Sequence, residues 1–223
     1  MTWRALTNYV LSSLFDPPCA ACGAVLARPL DGAVCDACWA GIAALIPPAV
    51  VTRAHGRGAI HGGAAIGEYD GRLRDVIHAL KYQGRRSIAP RLGALMRSAG
   101  AGVLRDADAV VPVPLHRRRL RSRGFNQADD LARTLGPPVR PVLQRIRFTV
   151  PQIELPAAER HRNVHDAFRL RPSATRDLPR ILVLIDDVST TGATLEACAR
   201  VLSSAGVREV RALTAAQVAN GRR

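Results

Sequence analysis

A chain of 223 residues, 48% of them hydrophobic, can build one α/β domain of ordinary size with a small appendage, and that apolar content excludes a disordered chain. The formal charge of +14 is concentrated: residues 51–128 carry fifteen basic and five acidic side chains, against two and three in residues 1–50 and fifteen and ten in residues 129–223. Clustered positive charge implies a polyanionic partner, either a diphosphate-bearing small molecule or nucleic acid. Of the 32 basic residues, 31 are arginine and Lys81 is the single lysine.

The first segment, Trp3 to Phe15, places Trp3, Leu6, Val10 and Leu14 at roughly helical spacing, interrupted by Thr7, Asn8, Ser12 and Ser13. It is too short and too polar to span a membrane, and it lacks the basic start and continuous apolar stretch of a signal peptide. The expectation is a cytoplasmic protein without membrane insertion.

Two C-x-x-C pairs follow, Cys19 with Cys22 and Cys35 with Cys38, separated by twelve residues. Four thiolates at this spacing suit a tetrahedral Zn²⁺ site, and with every ligand from protein its role would be structural. The competing readings are disulfides, disfavoured in a reducing compartment, and a redox pair, which needs one C-x-x-C beside a βαβ unit. Residues 1–50 thus form an expected N-terminal helix and four-cysteine zinc-binding segment, and residues 51–223 a second domain. Cys198 stands apart, expected on a helix with Leu195 and Leu202 and packed in the core.

Beyond a proline-containing link near 46–50, Ala59 to Tyr69 reads as a strand with glycine breaks. In Arg72 to Tyr82, Leu73, Val76, Ile77 and Leu80 recur at i, i+3, i+4 and i+7, which predicts an amphipathic helix stopped by Gly84. Lys81, Arg85 and Arg86 at its end serve equally as helix-dipole partners or as phosphate ligands. Ala109 to Leu115 is a short apolar strand limited by its prolines. It leads into Arg117, Arg118, Arg119, Arg121 and Arg123, expected in a loop, where an anion such as pyrophosphate would relieve their repulsion; a solvated basic loop is the other reading. Asn126 suits a helix cap. Residues 144–162 show no clear period before Pro156 and suit a mobile cover over a site, followed by an expected helix over 157–168. Residues 211–218 read as a last strand.

The densest signal is Ile181 to Thr194, I-L-V-L-I-D-D-V-S-T-T-G-A-T. Five apolar residues predict a buried parallel strand, whose carboxyl end is where open α/β sheets bind ligands. Asp186 and Asp187 suit vicinal hydroxyls and a hydrated Mg²⁺, and the hydroxyls of Ser189, Thr190, Thr191 and Thr194 suit phosphate oxygens at a helix N-terminus. The plainer alternative is a capped turn in which Asp187 or Ser189 only satisfies backbone donors.

This string resembles the 5-phosphoribosyl-1-pyrophosphate (PRPP) motif of type I phosphoribosyltransferases. The resemblance implies that Asp186 and Asp187 hold the ribose hydroxyls, that Ser189, Thr190, Thr191, Gly192, Ala193 and Thr194 wrap the 5′-phosphate, and that Mg²⁺ accompanies PRPP. Together with the Cys pairs, Y-D-G-R-L-R-D-V-I-H-A-L-K-Y-Q-G at 69–84, V-P-V-P-L-H-R-R-R-L-R-S-R-G-F-N-Q-A at 111–128 and R-N-V-H-D-A-F at 162–168, the chain is similar to the ComF family of bacterial proteins. That likeness implies an α/β fold with a Rossmann-like parallel sheet of the type I phosphoribosyltransferase kind behind a four-cysteine zinc segment, and a link to DNA uptake. It implies too that 116–123 receives the pyrophosphate and that 144–160 is a hood loop; Lys81, set apart as the single lysine, is placed with the pyrophosphate-binding residues as a candidate phosphate ligand. Some purine enzymes of this kind carry an acidic residue where Thr190 lies, which makes hypoxanthine-type salvage a poor fit.

Two functions from different classes follow. One is an enzyme transferring phosphoribose from PRPP to a nitrogenous acceptor; the other is a non-catalytic single-stranded-DNA-binding protein, for which nine aromatic residues offer few stacking platforms. A PRPP-sensing regulator is a third. The residues assign neither an acceptor nor an oligomeric state.

Overall fold

The computed structural model describes residues 3–46, 58–147, 166–174 and 178–218. In chain order the elements are α1 (Trp3–Phe15), α2 (Asp36–Ala43), β1 (Gly62–Glu68), α3 (Gly71–Tyr82), α4 (Ala89–Ala99), α5 (Ala101–Leu104) and β2 (Ala109–Pro112). They continue with α6 (Arg117–Arg123), α7 (Gln127–Ala132), β3 (Leu143–Arg145), β4 (Phe168–Leu170), β5 (Ile181–Ser189), α8 (Ala193–Ser204) and β6 (Glu209–Gln217).

Four strands pair in parallel in the order β1-β6-β5-β2, a Rossmann-like sheet. Alternation along the strands sorts the core into two layers. Val110, Val183, Ile185, Leu213 and Ala215 point to the side covered by α3, α4 and α7; Val111, Leu182, Leu184, Val210 and Ala212 point to the side covered by α8. The short antiparallel pair β3-β4 belongs to the second layer through Leu143 and Phe168. The first layer also takes in Leu26, Val34, Trp39 and Ile42, so the cysteine segment packs on the same core as the sheet. In α1 only Asn8 is buried, its Oδ1 accepting from the Leu30 N–H at 2.9 Å, while Trp3, Tyr9, Leu14 and Phe15 stand exposed.

Several expectations need correction. The aspartate pair lies inside β5 rather than beyond its end, because β6 runs alongside and pairs Asp186 with Thr214 and Ser189 with Gln217. The arginine segment is the helix α6, not a loop. The His116 ring accepts from the Arg118 N–H at its start, and Gly124, at φ +80, returns its N–H to the Leu120 carbonyl at its end. Phe168, expected at a helix end, begins β4; residues 148–165, which hold most of that expected helix and of the hood stretch, lie outside the described residues, as does the link at 47–57. The helix at α3, the cap at Asn126 and the buried Cys198 on α8 match the sequence reading.

Candidate functional site

All four parallel strands end at one cavity of about 700 Å³. Tyr69 follows β1, Val113 to Leu115 follow β2, Asp186 to Val188 close β5, and Val218 follows β6. This is the carboxyl edge at which open parallel sheets bind ligands, and here it gathers five cationic side chains, Arg74, Lys81, Arg119, Arg123 and Arg145, around two carboxylates.

Strand alternation separates the aspartates. Asp187 shares its face with Val183 and Ile185, under α3; Asp186 shares its face with Leu182 and Leu184, under α8. Lys81, at the end of α3, therefore meets only one of them, with Nζ 2.7 Å from Asp187 Oδ1 and the two side chains 14% and 4% exposed. Burial pulls the Lys81 ammonium toward neutrality, but the charge and hydrogen bond of Asp187, with the charge of Asp186, hold it above its ordinary value. The second Asp187 oxygen, Oδ2, is buried without a hydrogen-bond partner among the described residues. Asp186 accepts from the Asp187 N–H at 2.9 Å. Burial, then the neighbouring Asp187 charge, push the Asp186 carboxyl up to about 7 despite the opposing charges of Lys81 and Arg145.

Beyond β5 the chain turns through Ser189 to Gly192, and Gly192 adopts a left-handed φ of +76 that starts α8. Thr191 Oγ1 accepts from the Ala193 N–H at 3.4 Å. Thr190 and Thr194 line the cavity; Ser189, Thr191, Gly192 and Ala193 form the turn behind them without lining it.

The helical state of α6 decides which arginines reach the site. Arg119 and Arg123, four residues apart on one face, line the cavity, whereas Arg117, Arg118 and Arg121 do not. Arg123 donates to Gln127 Oε1 at 2.6 Å and lies over the Tyr82 ring at 5.2 Å; the His78 ring packs on Tyr82 at 4.7 Å. Arg145, on β3 and over the Phe168 ring at 5.3 Å, lines the cavity with them. Burial first, and then the charge of Arg119, lower its guanidinium below the usual value. Burial and four nearby arginines likewise depress His116. Sequence reasoning missed Arg145, Arg74 and His78. The spacing of Arg74 and His78 on α3, four apart and in line with Lys81 and Tyr82, was the available signal; Arg145 had none.

A second cluster lies in the N-terminal segment. Cys19, Cys22, Cys35 and Cys38 are free thiols whose sulfurs all fall within 4.8 Å of one another. Two of the separations, Cys19 to Cys38 and Cys22 to Cys35, are 3.9 and 3.8 Å. A tetrahedron with metal–sulfur bonds of about 2.3 Å has edges of roughly 3.8 Å, whereas a disulfide needs about 2.05 Å. The four cysteines could therefore hold a zinc ion. Main-chain N–H groups of Ala21 and Cys35 point at Cys19 Sγ, at 3.5 and 3.3 Å, as they do toward a thiolate.

No helix among the described residues is long and apolar enough to cross a membrane.

No family model matches the chain. Among curated proteins, it is 34% identical to "Competence protein F" of Haemophilus influenzae over 156 residues, 66% of this chain and 68% of that one. It is 35% identical to "DNA utilization protein YhgH" of Escherichia coli K12 over 162 residues, 66% of this chain and 67% of that one. A longer match, 28% over 211 residues, covers 92% of this chain and 85% of "Competence protein ComFC" of Bacillus subtilis. With the cysteine pairs, the arginine segment and the aspartate strand all in place, the chain belongs to the ComF family.

Proposed function

We propose that the cavity binds PRPP and that the protein transfers the 5-phosphoribosyl group to a nitrogenous acceptor, releasing pyrophosphate. The observation that carries this reading is Asp187 Oδ2, a buried acceptor without a donor among the described residues, at the head of a cation-lined cavity. A lone buried carboxylate oxygen costs free energy unless a ligand donor meets it, and a ribose hydroxyl is such a donor. Asp186 offers the second acceptor for the adjacent hydroxyl. Thr190 and Thr194, with the first-turn amides of α8, suit the 5′-phosphate, and Arg119, Arg123 and Arg145 suit the diphosphate.

In the reaction the acceptor nitrogen forms a bond to ribose C1 as the bond from C1 to the pyrophosphate oxygen breaks. The electron pair leaves on pyrophosphate, and the acceptor gives up its proton. The arginines stabilise the growing negative charge on the leaving group, while the aspartates hold the ring and face its growing positive charge. The diphosphate oxygens with the Asp186 carboxylate would form an oxygen donor set suited to Mg²⁺, which when bound would neutralise the leaving group further. Zinc in the cysteine cluster would be structural, since four protein ligands leave no open position.

The names of the relatives support a place in DNA uptake or use. They also favour a second reading, single-stranded DNA held by phosphate contacts to the same basic cavity, with Tyr82 exposed and stacked under Arg123 as a base platform. One experiment separates the two: purified protein with PRPP, Mg²⁺ and a panel of bases and amines, with pyrophosphate followed. Acceptor-dependent release supports transfer; no release with any acceptor, alongside tight, salt-sensitive binding of single-stranded DNA, supports the second reading.

A further inference from the structure

We infer that Lys81 is the resident cation of the sugar end of the cavity, standing at Asp187 where a divalent metal would otherwise be needed, so that a ribose phosphate binds there without one. The inference rests on the reading of the cavity as a ribose-phosphate site.

Four observations lead to it. Lys81 is the single lysine among 32 basic residues, and its side chain is largely buried in the cavity wall, 2.7 Å from Asp187 Oδ1. An ammonium is a compact point charge with three donors that can aim in different directions, closer to a metal ion in its behaviour than the flat fork of arginine. The helix that carries it is anchored by Leu73, Val76, Ile77 and Leu80, all fully buried, so Nζ is held in place before any ligand arrives. Its bond takes only one Asp187 oxygen; Oδ2 keeps its acceptor capacity for a hydroxyl, and the ammonium retains donors for a second. Five cations against two carboxylates already leave the lining positive toward a sugar phosphate. A divalent ion at Asp187 would sit against the buried Lys81 ammonium across one carboxylate, and the repulsion between the two cations makes that unfavourable.

The test uses ribose 5-phosphate, which carries the diol and the 5′-phosphate but no diphosphate for a metal to bridge. Binding to the full-length protein is measured by calorimetry in buffer passed over chelating resin and again with Mg²⁺ added, with zinc content checked unchanged. The expected result is wild-type affinity equal within about twofold in the two buffers, and a loss of about tenfold or more for Lys81→Gln without metal, partly restored by Mg²⁺. Wild-type binding that requires Mg²⁺, or Lys81→Gln binding unchanged without it, overturns the inference. If Lys81→Gln fails to fold, the wild-type comparison decides alone. Wild type that binds neither ribose 5-phosphate nor PRPP in either buffer contradicts the ribose-phosphate site itself, and this inference with it.

Discussion

The main-chain N–H of Asp187 donates to the side chain of Asp186 at 2.9 Å, although the two side chains leave β5 on opposite faces. The adjacent carboxylates are thereby made unequal, one paired with Lys81 and the other pushed up to about 7 by burial and by its neighbour. The hydroxyl assigned to Asp186 is held more strongly by its ionised form, since a hydrogen bond to a carboxylate is stronger than one to a neutral carboxyl. A raised value means that the carboxyl is mostly protonated at pH 6 and mostly ionised at pH 8, so affinity for PRPP should rise with pH, by about tenfold across that window. Asp186→Asn should bind more weakly and lose this part of the pH dependence, leaving only the titration of the phosphates. Identical pH profiles for variant and wild type by calorimetry would contradict the assignment.

The two faces of α6 make a sharper prediction than the count of its arginines. Arg119→Ala or Arg123→Ala removes a guanidinium that lines the cavity and should weaken PRPP and pyrophosphate binding about tenfold, the scale of one hydrogen bond between charged groups. Arg121→Ala, which removes the same charge from outside the cavity, should change binding less than about twofold at physiological salt. Equal losses for Arg119→Ala and Arg121→Ala would mean that the segment acts only through its total charge.

For the cysteine cluster, elemental analysis of purified protein should find about one zinc per chain, and Cys19→Ser and Cys38→Ser should lower it toward zero. Both variants should also unfold at lower temperature, because Cys19 and Cys38 are buried beside Trp39 and Ile42 in the main core. Full retention of metal in both variants would refute the site.

The packing of α4 on α7 depends on Gly93. A Cβ placed there would collide with the Thr134 side chain, which lies just beyond α7. Gly93→Ala should cost about 1–3 kcal/mol in denaturant unfolding, outweighing the roughly 1 kcal/mol that alanine gains in a helix. A stabilised variant would show that the helices can separate without loss.

Elements whose information is local were legible from the residues. The apolar run Ile181 to Ile185 and the i, i+3, i+4, i+7 pattern from Leu73 to Leu80 each declare a buried strand and a one-sided helix, because periodicity follows directly from backbone geometry. The arginine segment misled, since the repulsion of five like charges argues for an open loop. The cap at His116 and the left-handed Gly124 outweigh it by satisfying both helix ends and letting the guanidinium groups radiate apart. Arg145 was invisible because a three-residue strand has no period, and its approach to the cavity is created by pairing with β4. The Lys81–Asp187 bond could not be read either. It depends on which face of β5 lies under α3, a property of the assembled sheet.

If the cavity at the carboxyl edge of the sheet is built for PRPP, the aspartate pair must hold it, and calorimetric titration of wild type and the Asp186→Asn, Asp187→Asn double variant with PRPP tests this most directly. The expected result is clear saturable binding by wild type and its loss in a variant whose far-ultraviolet circular dichroism matches wild type. PRPP affinity unchanged in that variant would contradict a PRPP site at these residues.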